Sequence, residues 1–298
     1  KELWNKIRKG VKAGMAAATE SNVLTDNRVV SMIEKFKASG KYKLMQEGER
    51  YYQADNDIKN RKITRKVDGH KEEETWRANN KLAHAKYKIQ VDEKIAYLLT
   101  KPVTYKTDGT DKNDTYVEKV KDVLGKHFQY QLTQLGYEAS NKGIGWLHVY
   151  LDPEGELKTI VIPAEQCIPY WSDRSHTELD AMIRVYNTTV WQYNQEKEIT
   201  NVEIWTKDGV KYYRLEGQML VYDNDKSMDA GGPVAHYKSV EEWKTWGKVP
   251  FIPFKNNQIE MPDVKFVKSL IDGYDLGRSE AANYMDEVKN LIFVLKGY

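Results

Sequence analysis

The spacing of apolar residues divides the chain into parts with different periods. Up to about residue 135, apolar residues recur every three or four positions, which is the period of an amphipathic helix. From Gly143 the period shortens to two, which is typical of strands with one buried face. After Pro262 the helical period returns and no further proline occurs. Helices, then strands, then a helix predict an α+β fold.

Local signals set the expected boundaries of the elements. Asp26 or Asn27 is placed to cap a helix that Gly40 would end, and Pro102 would stop a later helix before a short strand at 103–105. Asp208-Gly209 is a hairpin signal. The other predicted helices cover residues 1–20, 42–58, 82–99 and 117–135. The other predicted strands cover residues 144–150, 157–162, 181–186, 201–206, 211–214 and 219–222. Residues 249–254 contain two prolines and are expected to be extended, but not in a central strand.

The last segment is predicted to be a single long helix. Its 33 or so residues would make a rod of about 50 Å. Gly273 and Gly277 would each cost about 1 kcal/mol relative to Ala inside it, so they mark a bend or a close helix contact. The apolar stripe is longer than the chain's own globule can cover, so we expect a partner to bind it.

Composition excludes several classes of protein. The 20 Tyr and 8 Trp outnumber the 6 Phe, and such amphipathic rings suit subunit interfaces. The net charge of +2 does not indicate a nucleic-acid-binding protein. No apolar run is long enough for a transmembrane helix, and the charged, amphipathic start does not resemble a secretory signal. Residue 1 is not methionine, so we expect a segment of a longer, cytosolically made protein.

No motif for catalysis or cofactor binding is present in the sequence. It lacks phosphate-binding, dinucleotide, zinc-protease and serine-hydrolase signatures. The six histidines lack metal-ligand spacing, and the single Cys167 is expected to be buried and inert. No enzyme activity, cofactor or metal is therefore expected. A hydrolase with a carboxylate pair in the β-rich stretch is kept as an alternative, although 44 acidic residues single out no pair.

The basic run from Lys59 to Lys66 has two interpretations. It could contact phosphates as part of a sequence-tolerant nucleic-acid-binding protein. The interpretation that we favour is a solvated loop whose charge is balanced by the acidic residues 72–74.

Four stretches of sequence, in this order and spacing, resemble one known family. They are the helix-to-Pro-Val segment 77–105, the strand and Pro-Glu-Gly turn within 143–173, the Gly-Lys-Val-Pro turn within 247–257, and residues 269–298. The family is the portal proteins of tailed bacteriophages, of the type found in siphophages of Gram-positive hosts.

The resemblance implies a structural, non-enzymatic role. Identical subunits, usually twelve, would form a ring at the capsid vertex of the virion, assembled in the bacterial cytoplasm. Double-stranded DNA would pass through its channel, driven by terminase, and capsid, scaffold and head-completion proteins would bind the ring. No membrane takes part. Residues 1–40 would be an N-terminal helical arm, 41–260 the wing and 261–298 the first stem helix, while the clip, second stem helix and crown are not in this sequence.

Two sets of residues on the predicted stem helix are candidates for function. Apolar positions at steps of three and four are predicted to pack against neighbouring subunits and the wing: Val267, Leu270, Ile271, Tyr274, Met285, Val288 and Leu291. Cations outside that stripe are the candidates to face DNA: Lys265, Lys268 and Arg278.

Overall fold

The computed structural model describes residues 24–106, 114–192, 195–226, 233–239 and 242–289. These residues form helices and antiparallel sheets, so the predicted α+β class is confirmed. The predicted helix 1–20 lies outside them. The helices are α1 (Asp26–Ala38), α2 (Gly40–Tyr52), α3 (Lys86–Leu99), α4 (Asp114–Leu124), α5 (Phe128–Lys142) and α6 (Val264–Lys289). The strands are β1 (Thr64–Val67), β2 (His70–Glu73), β3 (Ile144–Leu151), β4 (Leu157–Ile162), β5 (Cys167–Trp171), β6 (Leu179–Gln192), β7 (Gln195–Thr206), β8 (Gly209–Glu216), β9 (Met219–Tyr222), β10 (Tyr237–Ser239), β11 (Glu242–Lys244) and β12 (Phe251–Lys255).

The chain divides into two compact units, and the first is built on a five-stranded sheet. Its described residues fall within 24–38, 168–236 and 245–249. The strand order is β5-β6-β7-β8-β9, and consecutive strands from β6 onward pair antiparallel. Thr206 pairs with Gly209, so the hairpin turn predicted at Asp208-Gly209 is confirmed.

Helix α1 supplies the apolar cover of this sheet. Val29 and Ile33 are four residues apart, so they lie on one side of the helix, and both are buried. They pack in one cluster with buried residues of the strands, which follow the period-two pattern of the sequence. The strand members of the cluster are Ile168, Ile183, Val185, Val202, Ile204 and Tyr213.

The second unit combines helices with a three-stranded sheet of order β12-β3-β4. Helix α5 passes directly into β3 through Gly143, which has φ of +89° and donates its N–H to Ala139 O at 2.7 Å. A Cβ at Gly143 would lie 2.4 Å from the backbone oxygen of Glu260, so only glycine fits. Strand β12 contains Pro253 and lies at the sheet edge, as the prolines predict.

The core of the second unit holds the first half of α6. Tyr87, Val91 and Ile95 of α3 pack with Tyr51 of α2. Tyr87 donates its hydroxyl proton to Ser140 O at 3.1 Å, which satisfies its buried polar atom. Val264 and Ile271 of α6 complete this cluster.

One predicted boundary of the early helices is confirmed and another is wrong. Helix α1 ends at Ala38, next to the predicted stop at Gly40, and Gly40 begins α2, where Ser39 Oγ accepts the N–H of Tyr42 at 3.1 Å as an N-cap. Helix α2 ends at Tyr52 rather than near residue 58. The chain reverses there through Ala54, which has φ of +54°, and Asp57–Asn60 form only a 3-10 turn.

Three further predictions are corrected along the following segment. The helix expected from Leu82 begins at Lys86, because the residues before it form hydrogen bonds to α6 instead. Residues 103–105 form no strand and pair with no other described segment. The helix expected over 117–135 is two helices, α4 and α5, separated at Gly125, which has φ of +70°.

Candidate interface on the long helix

Among the described residues, the buried positions of helix α6 lie on one side of it. Its 26 described residues make a rod of about 39 Å. The buried residues are spaced four or seven positions apart, so they lie on the same side of the helix. The buried residues of α6 are Val264, Ile271, Asp275, Ser279 and Asn283.

Away from the buried side, α6 has an apolar face without charge. At about 100° of rotation per residue, ten positions fall within an arc of about 120°, and none is Asp, Glu, Lys or Arg. We call this the uncharged face. Leu270 is 73% exposed, Tyr284 69% and Met285 65%. The positions are Phe266, Val267, Leu270, Gly273, Tyr274, Gly277, Ala281, Tyr284, Met285 and Val288.

The two glycines leave space on this face. A Cβ added at Gly273 or Gly277 would meet no atom of the described chain within 4 Å. Inside a helix each glycine costs about 1 kcal/mol relative to alanine. The described residues give no reason for that cost, since a methyl group would fit beside them at both positions.

The stripe predicted from the sequence divides between the two sides of α6. Ile271 is buried and Val267 packs beside it in the core of the second unit. Leu270 and Met285 are exposed, as are Tyr274 at 43% and Val288 at 39%. Leu291 lies outside the described residues.

The three predicted cations differ in their surroundings. Lys265 and Arg278 are exposed and form no ion pair with other described residues. Lys268 Nζ lies 2.7 Å from an Asp272 carboxylate oxygen and also bonds Asp57. Burial lowers the pKa of the Lys268 ammonium, but hydrogen bonds to these two carboxylates outweigh it, so the pKa stands above its ordinary value. Lys268 is thus neutralised within its own chain.

Sequence reasoning missed the polar residues on the buried side of α6. Asp275, Ser279 and Asn283 recur every four residues, and all three are at most 4% exposed. Their partners lie in an extended segment before α3. The signal is a polar stripe with the same period as the apolar one, but periodicity does not show which segment a stripe contacts.

The basic run from Lys59 to Lys66 is largely neutralised by acidic residues. β1 and β2 form a hairpin that places Arg65 opposite Glu72. Lys62 Nζ lies 3.1 Å from a Glu73 carboxylate oxygen. This arrangement favours the balanced, solvated interpretation over phosphate binding.

Two carboxylates that lie close together, those of Glu138 and Glu165, share a lysine and do not form an acid–base couple. Lys142 Nζ lies 2.8 Å from a carboxylate oxygen of each. Burial raises the pKa of Glu138, although Lys142 partly offsets it. A lysine shared between the two acids makes this a structural tie linking α5 to the turn Ala164–Gln166.

Two further searches covered the described residues. No group of His, Cys, Asp and Glu among them is arranged to hold a metal ion. None of their helices combines the length and hydropathy needed to cross a bilayer.

Comparison with known proteins gives consistent matches. Residues 37–298 match the family described as phage portal protein, SPP1 Gp6-like. The chain is 32% identical over 270 residues to the portal protein of Bacillus phage SPP1, covering 90% of this chain and 52% of that protein. It is 31% identical over 258 residues to the portal protein of Clostridium phage phiCD119, covering 83% and 53%. The chain therefore spans about half the length of these curated relatives.

Proposed function

Because the chain belongs to the SPP1 Gp6-like family of phage portal proteins, we propose that it is a structural subunit of a portal ring. In this proposal it has no enzyme activity and needs no cofactor. The ring stands at one vertex of the phage capsid and is the passage for the genome. The observation that supports the proposal most is the exposed, uncharged face of α6, with Leu270 at its centre.

A ring requires each subunit to offer surfaces to two identical neighbours. An exposed apolar stripe that runs from residue 266 to residue 288, over about 33 Å, is costly in water, and stripes of this kind mark interaction sites. Leu270, Tyr274, Met285 and Val288 supply this stripe. Gly273 and Gly277 would allow the backbone of a neighbouring helix to approach closely. The stability that each glycine removes from the isolated helix would then be offset by closer packing in the ring.

Contact with DNA is proposed for exposed cations of α6. Lys265 and Arg278 lie outside the uncharged face and are not neutralised by described residues. Lys268 is held by Asp57 and Asp272, so it would contribute less to such contact. Few free cations suit a channel that must let DNA slide, because tight phosphate binding requires many.

The remaining parts of the proposal follow the family. Residues 1–40 are the arm, 41–260 the wing and 261–298 the first stem helix. The partners are identical subunits (twelve in a complete ring), double-stranded DNA, terminase, and capsid, scaffold and head-completion proteins. The protein is placed at the portal vertex of the virion after assembly in the bacterial cytoplasm.

A charge placed on the uncharged face tests the proposal. Leu270→Asp is expected to abolish ring assembly, because each interface would have to bury an unpaired carboxylate. Ser269→Asp puts the same charge on an adjacent exposed position outside that face and should leave assembly intact. The particle mass of each variant shows whether it assembles, and circular dichroism checks that both variants fold. Equal assembly of both variants would contradict the proposed interface.

A further inference from the structure

An extended segment before α3 runs along the buried side of α6. We call residues 79–84 the strap. Alternate strap residues donate backbone N–H groups to side chains that are one helical turn apart, so strap and helix run antiparallel. The bonds join Asn80 N to Asn283 Oδ1 at 2.6 Å, Leu82 N to Ser279 Oγ at 3.0 Å, and His84 N to Asp275 Oδ1 at 3.1 Å.

The spacing of these bonds follows from the geometry of the two elements. Four residues of an α-helix rise about 6.0 Å, and two residues of an extended chain rise about 6.6 Å. Every second strap residue can therefore bond every fourth helix residue, and three such bonds form in succession. Shifting the strap by one residue would point its N–H groups away from all three side chains.

Side-chain bonds close both ends of this arrangement. At one end Asn56 Nδ2 donates to Asp275 Oδ2 at 2.5 Å and to His84 O at 3.1 Å. At the other end Asn80 Nδ2 donates to Asp286 Oδ2 at 2.8 Å. The Asp275 side chain is 0% exposed, and an unpaired carboxylate there would be costly, so these donors define its position.

The second half of α6 has no buried apolar anchor among the described residues. Ile271 is the last α6 residue in the core cluster, and beyond it the buried positions are Asp275, Ser279 and Asn283. Apolar packing tolerates rotation and sliding, whereas hydrogen bonds have fixed directions. The orientation of this half depends on polar contacts.

We propose that the strap sets the rotation and axial position of residues 275–286, so that the uncharged face points away from the chain. The strap residues are positioning residues, since they act through α6 and do not form the face. This inference rests on the proposed function only for what the face contacts. The coupling between strap and helix can be tested whether or not a ring forms.

Hydrogen–deuterium exchange on the whole chain tests the inference. Asn80→Ala removes the strap side chain that bonds Asn283 and Asp286 without changing α6 itself. We expect exchange to accelerate by about tenfold in both the strap and residues 275–286, as for the loss of buried hydrogen bonds. Residues 264–274 should keep the wild-type rate. All proteins are compared in the same assembly state, as checked by particle mass.

A matched serine pair provides the control. Ser279→Ala and Ser269→Ala give α6 the same gain in helix propensity, because alanine is the better helix former. Ser269 is exposed and outside the strap contact, so its variant should exchange as slowly as wild type or more slowly. Ser279→Ala removes the acceptor of Leu82 N–H and should exchange faster in the strap and in residues 275–286.

Two results would overturn the inference. If Asn80→Ala accelerates exchange in the strap alone, the position of residues 275–286 does not depend on the strap. If the variant accelerates exchange throughout the second unit, its effect is general instability. Should Asn80→Ala not fold, Ser279→Ala is the smaller change and decides by the same criteria.

Discussion

At the scale of single residues, Lys268 shows how a surface cation can serve its own fold. Its ammonium bonds Asp57 and Asp272 and lies 3.7 Å from Glu47. Tyr51 joins the cluster by donating its hydroxyl to Asp272 at 2.5 Å, and burial together with that carboxylate raises the pKa of Tyr51 to about 12. This cluster ties α6 to α2 and to the turn that follows it.

Removing this ammonium should destabilise the protein. Lys268→Ala leaves several carboxylates facing one another, and we expect the free energy of unfolding to fall by about 1–2 kcal/mol. Lys265→Ala removes an exposed cation three residues earlier and should change the free energy of unfolding by less than about 0.5 kcal/mol. Urea denaturation measures both. Equal effects would mean that the cluster contributes nothing specific.

The Asp57 carboxylate gives stability a dependence on pH. Burial raises its pKa, but Lys268 and Arg50 outweigh burial, so the pKa lies below its ordinary value of 3.8. A lowered pKa stabilises the fold above the unfolded-state pKa, and this contribution is lost as pH falls through the folded-state value. The stability difference between wild type and Asp57→Asn should be constant above about pH 5 and shrink towards pH 2. A difference that is unchanged at pH 3 would contradict this assignment.

At the scale of elements, the contact between α2 and α5 depends on one glycine. A Cβ at Gly48 would lie 1.9 Å from Asn141 O, a backbone atom that cannot easily move. Gly48→Ala should lower stability by about 2 kcal/mol or more. Gly40→Ala, in open space at the start of the same helix, should raise it by up to about 1 kcal/mol. Thermal unfolding that shifts both variants in the same direction would contradict this account of the contact.

Most elements could be predicted from local pattern, and the errors arise where distant partners decide. Strands β3 and β4 follow directly from period two and the turn between them. Leu82 continues the helical period towards α3, but its N–H bonds Ser279, almost 200 positions later in the sequence. The sequence could not show that contact, because periodicity reports the face of an element and not what covers it.

Only part of the candidate site can be predicted from the sequence, because periodicity does not show what covers each face. The period identified an apolar stripe containing Leu270 and Ile271, but it could not show that one is exposed and the other buried. The sequence does not distinguish Lys268 from Lys265, because both lie outside the stripe. Only the fold shows that acidic residues of other elements converge on Lys268.

At the scale of the whole molecule, the glycines of α6 should separate stability from assembly. Gly277→Ala should stabilise the isolated chain by up to about 1 kcal/mol, since the methyl group meets open space. The same methyl group would hold a neighbouring helix away. We expect the concentration needed for ring formation to rise about tenfold, equivalent to about 1.4 kcal/mol. If stability and assembly both improve, the glycines do not serve a close contact.

Electron cryo-microscopy of the purified particle would show both its symmetry and the surroundings of α6. We expect a closed ring of identical subunits in which Leu270, Tyr274 and Met285 of each α6 are buried against the adjacent copy. A particle that remains a single chain, or a ring whose α6 leaves these side chains in solvent, would contradict the proposed interface.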